Sequence, residues 1–171
     1  GKTRLAYQQN GAWGIMSSKG ELLTPAKYDI MQPYSAGLAA VHVGMNHWAY
    51  VDTNGQMAIK GPYRQAKSFS EATGECEVPL AAVKTRKGFG YITLEGKWHI
   101  KPKYHEAERF AEGYALVERK ERLRYINCRN EELQVPHTFE IGSDFVEGLA
   151  LIQASTSDGY FYGYVNHQGK Y

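Results

Sequence analysis

Two histidines, His42 and His47, flank a short turn in the run "HVGMNH". Across a hairpin their imidazoles would face each other. Zinc takes three or four protein ligands, so two imidazoles alone do not close a site. The run "HEAER" begins as a helical zinc-hydrolase motif does, but Arg109 stands where the second histidine is needed. "GFG" at 88–90 lacks the strand-to-helix turn on which phosphate and dinucleotide loops depend. No Gly-x-Ser-x-Gly elbow occurs. Glu106, Glu108 and Glu112 recur where solvation explains them. The expectation is a chain with no catalytic residues, no metal site and no cofactor.

What remains is contact chemistry. The candidates are Glu75 and Glu77 in "EATGECEVP", Asp158 and Tyr160 in "QASTSDGYF", Tyr162 just beyond it, and Arg124. Loops carry binding groups more often than the scaffold under them. Asp158 also has turn chemistry of its own. Tyrosine offers a large contact area at small rotamer cost. Arg124 interrupts a run of small residues, and its guanidinium either meets a partner or lies on a solvent face.

The composition supports a scaffold for such contacts. The chain has 171 residues, 43% hydrophobic and 22% charged, which suffices for a buried core. Its net charge of +2 argues against general phosphate-backbone binding. No apolar run reaches the length of a membrane span. No signal peptide is read at the N-terminus, which opens on Gly1 rather than Met, so the compartment, cytoplasmic or exported, stays open. Cys76 and Cys128 form no CxxC pair, and two cysteines do not make a disulfide framework, so no bridge is expected. There are 13 Tyr, 6 Phe, 3 Trp and 18 Gly, a balance that suits strands and tight turns.

The elements that position the candidates recur along the chain. One column of an internal repeat reads Trp13, Trp48, Phe89, Leu123, Tyr162, and the next Gly14, Ala49, Gly90, Arg124, Gly163. A third reads Ile15, Tyr50, Tyr91, Tyr125, Tyr164, and a fourth Met16, Val51, Ile92, Ile126, Val165. Alternate columns lie on opposite faces of a strand, so one face stacks aromatics and the other pairs small with aliphatic residues. A turn follows, with Gly20, Gly55, Gly96 and Gly169, and with Asn130 in the fourth copy. Both residue types tolerate a left-handed backbone. A second strand runs to Tyr28, Tyr63, Tyr104 and Phe139, with a proline before each that places a strand end or an edge there. A third strand closes each unit, as in "GLAAV" and "GYALV".

The period of two predicts an all-β chain of tandem units of about 35–40 residues, each a three-stranded antiparallel meander. Stacked units make one open solenoid-like array over 1–171, with a propeller-like closed array as the alternative. The units lie near 5–41, 38–83, 80–117, 114–152 and 149–171, with adjoining strands shared. The segments 71–79 and 153–161 lengthen two of the intervals and read as inserted loops.

"WGIM…KGELLTPAKYD…YSAGLAAV" and "FGYI…EGKWHIKPKYHEAERFAEGYALV" resemble the bacterial WG, or KWG, repeat family. The likeness runs from about Leu5 to Tyr171; Trp48-Ala49, and Leu123-Arg124 with no turn glycine, depart from it. The resemblance implies a β-rich repeat module, often attached to other domains, with no shared catalytic residues. Two expectations follow. The first is a non-catalytic protein–protein interaction module, such as a scaffold segment or an inhibitor within a larger bacterial system. The second is a carbohydrate or cell-wall binding module with exposed aromatics. Exposure of Trp13, Trp48 and Trp98 separates them.

Overall fold

A computed structural model describes residues 4–72 and 75–171. The described residues hold strands and turns and no helix, as the period of two requires. Sheet one contains β1 (Arg4–Gln9), β2 (Ala12–Ser17) and β3 (Leu22–Tyr28). Sheet two contains β4 (Ile30–Met31), β5 (Ala39–Gly44), β6 (His47–Val51) and β7 (Met57–Tyr63). Sheet three contains β8 (Gln65–Ala66), β9 (Ala81–Thr85), β10 (Gly88–Ile92) and β11 (Trp98–Tyr104). Sheet four contains β12 (Glu106–Ala107), β13 (Ala115–Arg119) and β14 (Arg122–Ile126), and sheet five β15 (Phe139–Gly142), β16 (Leu149–Thr156) and β17 (Gly159–Asn166). Among the described residues all pairings are antiparallel, and no sheet joins the first strands to the last.

The meander is present as a chain path, but it spans two sheets. A single bend residue separates β3 from β4 (Asp29), β7 from β8 (Arg64) and β11 from β12 (His105). The second strand of a unit thus begins in one sheet and finishes in the next, where it pairs with the unit's third strand. That third strand turns into the first strand of the following unit. Bent strands of this kind make the corners between packed sheets.

The core lies in four layers between five sheets. The third column faces the following sheet and the fourth faces the preceding one. Tyr50 lies in the layer between sheets two and three, whereas Val51 lies between sheets one and two. Tyr91 and Tyr125 repeat the forward placement, and Ile92 and Ile126 the backward one. The rings of Tyr50, Tyr91 and Tyr125 meet Phe69, Phe110 and Phe145 edge-on at centroid distances of 5.0, 4.8 and 5.1 Å. Such pairs add about 0.5–1.5 kcal/mol to simple burial. Each phenol also donates a hydrogen bond to a backbone carbonyl, at Lys67 (2.6 Å), Glu108 (2.6 Å) and Ser143 (2.5 Å). Burial pushes all three phenols well above their ordinary titration range.

The first column differs from the expected aromatic stack. Phe89 is buried, Trp13, Trp48 and Leu123 are half-buried, and Tyr162 is exposed. The reason is position. Trp13, Trp48 and Phe89 pair with Tyr28, Tyr63 and Tyr104 at the corner where the neighbouring strand leaves the sheet.

The second column is small because the opposing strand bulges toward it. On β11 the register runs from Ile100 to Tyr104 while β10 advances only from Tyr91 to Phe89. A Cβ on Gly90 would lie 2.5 Å from the Ile100 carbonyl oxygen and 2.8 Å from the Pro102 nitrogen. Gly14 is closed in the same way by the Thr24 carbonyl at 2.7 Å and by the Tyr7 ring. The prolines Pro25, Pro62 and Pro102 occupy this bulged stretch of β3, β7 and β11, which are edge strands. They therefore mark an edge and not a strand end.

Asn130 adopts the left-handed conformation with φ 64°, so the fourth hairpin turn survives without glycine. A further column became visible only in the structure. Ser17, Asp52, Thr93, Asn127 and Asn166 follow the fourth column, and each side chain accepts a turn N–H. All are small polar acceptors, the chemistry of Asx and ST turns.

Candidate interaction surface

The segment 153–161 is not a loop. It extends the last hairpin, with β16 and β17 paired from Leu149↔Asn166 to Thr156↔Gly159 around a tight turn at Ser157 and Asp158. Strand alternation then decides which side chains point out. Phe161 and Val165 pack inward beside Ala150, Ile152 and Ala154. Tyr160, Tyr162 and Tyr164 point outward at 68%, 68% and 59% exposure. Opposite them on β16 stand Ser155, Gln153 and Leu151, and Ile141 of β15 pairs with Gln153 on the same face. Ile141, Val146 and Leu149 are also exposed.

Tyr164 belongs to the third column, whose other tyrosines are buried under the following sheet. No described residue layers over it. Among the described residues, the outer face of the fifth sheet thus carries an exposed aromatic ladder with ring positions about 7 Å apart along the strand. Among described residues, groups of three or more metal-ligating side chains are absent, and the ladder carries no nucleophile–base pair. Its chemistry is contact: ring faces, three hydroxyls, and the Gln153 amide beside them.

Three of the sequence candidates, Asp158, Tyr160 and Tyr162, come together on this hairpin. The other three do not join them. Arg124 is neither presented outward nor on a solvent face. Its guanidinium is mostly covered and lies 3.6 Å from Glu132, which also pairs with Arg122 at 2.5 Å. The space exists because the fourth copy has lost the regular second strand: Ile126 forms one bridge to Glu132 and the ladder stops.

Glu75 and Glu77 lie in the inserted segment, of which residues 73 and 74 fall outside the described residues. Glu77 is exposed with φ 48°, and Glu75 forms an ion pair with Arg129 at 2.9 Å. The neighbouring Cys76 forms a disulfide with Cys128, against expectation, with Cα atoms 6.1 Å apart. The insertion therefore reaches past the third unit and fastens to the turn of the fourth.

His42 and His47 do not face each other. His42 pairs with Trp48, its ring centroid 5.1 Å from the indole, and its Nδ1 lies 3.3 Å from Asp29.

Tyr164, Ile141 and Leu149 were missed in the sequence. The alternation Tyr160-x-Tyr162-x-Tyr164 was the available signal, because a strand must place all three on one face.

The five sheets, their shared strands and their layered cores define a tandem β-repeat protein. Residues 13–44 and 89–121 match the WG containing repeat family, so these two stretches are WG repeats. No curated protein sequence matches the chain. Among solved structures it is similar to the computationally designed Ika8 protein, with TM-score 0.56 at 9% identity, over 94% of this chain and 54% of that one. It is also similar to a eukaryotic initiation factor, with TM-score 0.56 at 12% identity, over 97% of this chain and 49% of that one. The chain spans about half the length of each, and identities this low carry the fold alone.

Proposed function

We propose that this repeat array is a non-catalytic module for protein–protein interaction. The observation that supports it is the ladder of three exposed tyrosines on one face of the fifth sheet. Tyrosine ladders of this sort supply rigid amphipathic contact area. Flanking apolar groups such as Ile141 and Leu149 extend the patch beyond scattered surface residues, and contiguous apolar patches mark interaction sites. A scaffold segment or an inhibitor of a larger assembly fits this reading.

A second reading, carbohydrate binding, draws on the same exposure. Tyr160, Tyr162 and Tyr164 offer ring faces on which sugars stack, and Trp98 is 41% exposed. Trp13 and Trp48, in contrast, are half-buried against the core layers.

The test is affinity capture with the wild-type chain and with the Tyr160→Ser/Tyr162→Ser/Tyr164→Ser variant, followed by direct titration of the purified captured protein. The variant should fold and lose at least about tenfold in affinity. Equal affinity would overturn the assignment of the face. Soluble oligosaccharides that displace the captured protein would support the carbohydrate reading instead.

A further inference from the structure

A second surface stands apart from the tyrosine ladder. Between sheets two and three, a cleft of about 810 Å³ opens along β7, the β9–β10 turn and β11. Its apolar wall is Pro62, Trp98 and Pro102. Its charged lining is Arg64, Arg86, Lys87 and Lys101, with Asn46 and Thr85 as the neutral polar groups. No carboxylate lines it, and among the described residues none of these four cations forms an ion pair. A chain of net charge +2 has thus gathered uncompensated positive charge in one place. The charge continues beyond the rim through Lys84 and Lys103, which share an adjoining hollow with Arg64, Arg86 and Lys87.

Trp98 is held as a platform. Its ring sits over Gly90, where a Cβ would come within 2.9 Å of the indole, and it meets the buried Tyr63 ring edge-on at 6.4 Å. The corresponding residues of the first two copies, Leu22 and Met57, carry no aromatic ring.

These features narrow the ligand class. Lysine and arginine side chains donate hydrogen bonds and accept none. A neutral sugar's hydroxyls also donate, and the only side-chain acceptors lining the cleft are those of Asn46 and Thr85. An anionic ligand satisfies the lining. Single-stranded nucleic acid is bound on successive stacking platforms, whereas this cleft is lined by one aromatic ring together with two prolines. That wall suits one apolar side chain. The geometry points to an acidic peptide segment as the occupant, its carboxylates on Arg64, Arg86, Lys87 and Lys101 and one aromatic or leucine side chain against Trp98. Pro62 and Pro102 lack an N–H, so recognition rests on side chains rather than on strand addition to β7 or β11.

The inference shares with the proposed function only the class of partner, and its site and test are separate. The probes are a fluorescently labelled Glu-rich peptide with one central phenylalanine, the same peptide with alanine there, and labelled oligothymidylate. Binding is followed by anisotropy on the intact chain at low and at moderate salt. The wild type should bind the phenylalanine peptide most tightly and weaken as salt rises. Arg64→Glu/Lys101→Glu, at exposed positions, should lower that affinity at least about tenfold. Trp98→Ala should erase the preference for phenylalanine over alanine, with a denaturant melt confirming that it folds. Equal binding by the charge-reversed variant would overturn the assignment, and so would absence of binding by wild type. Oligothymidylate that binds more tightly and displaces the peptide would overturn it in favour of single strands. None of these outcomes bears on the tyrosine face, which is read with the captured protein and the triple tyrosine variant.

Discussion

Cys76 and Cys128, 52 residues apart in the chain, are joined by a disulfide that spans the whole third repeat. Cys76 lies in the one inserted segment of the second unit, and Cys128 in the turn of the fourth. The Glu75–Arg129 pair beside them is exposed and adds little by itself. A closed loop of this length constrains the unfolded chain by about 4 kcal/mol on the chain-entropy account. Cys76→Ser/Cys128→Ser, or reduction of the native chain, should lower stability by up to that amount. A denaturant midpoint that does not move would show that the link contributes nothing. Shortening 71–79 should therefore destabilise as well, since it removes the clamp and not a passive loop.

Gly90→Ala should cost about 1–3 kcal/mol, because the new methyl meets backbone atoms of Ile100 and Pro102 that cannot yield as a side-chain tip can. Thermal melts of the two proteins provide the check. A variant as stable as wild type would mean that the β11 bulge moves freely away from β10.

Tyr91→Phe should cost about 1–3 kcal/mol by removing the hydrogen bond that the buried Tyr91 phenol donates to the Glu108 carbonyl. Tyr164→Phe, at an exposed position, should change stability by less than about 0.5 kcal/mol. Urea titration of both variants tests the contrast, and similar losses at the two positions would contradict the layered core described above.

Alkaline pH should unfold the protein cooperatively. Burial raises the phenols of Tyr50, Tyr91 and Tyr125, and that of Tyr34 is pushed up to about 12, chiefly by burial and then by Asp52. A raised folded-state pKa means that stability is fully present below the unfolded value, near 10, and is lost as pH rises toward the folded one. Stability measured in urea should be flat up to about pH 9 and fall above it. A stability that rises from pH 9 to 11 would reverse the sign and exclude the buried phenols as its cause.

Glu132→Gln should destabilise by roughly 1–2 kcal/mol, since Arg122 and Arg124 share that carboxylate and Arg124 is mostly covered. Arg124→Gly, which restores the residue found at Gly14, Gly90 and Gly163, should also lose stability and not remain neutral. Chemical denaturation of the two variants decides it.

The parts of the fold legible in the sequence are those set by neighbours along the chain. The β2–β3 and β10–β11 hairpins follow from period-two columns and from Gly20 and Gly96, whose turn chemistry is local. The bend at Asp29, Arg64 and His105 was not legible. Three different residues make the same corner, so the signal lies in the packing of the sheets on either side and not in any residue type. The disulfide was invisible for a related reason: Cys76 and Cys128 meet only because the third repeat holds the second and fourth at the right separation. Tyr160 and Tyr162 were found through their type. Tyr164 fits the repeat column so well that its exposure shows only when the layers are counted in space.

The bent second strand also bears on how such a chain can lengthen or shorten over generations. Each of the first three copies hands its third strand to the sheet of its successor, and the last part of its second strand passes with it across Asp29, Arg64 or His105. A duplicated or deleted stretch of one full period therefore leaves every sheet with its strands, wherever the cut falls, because a lost strand and its replacement occupy the same column. Growth in whole periods is structurally neutral at the junction. Growth by part of a period is not, and the two lengthened intervals show the alternatives: one became a disulfide clamp and the other a longer terminal hairpin.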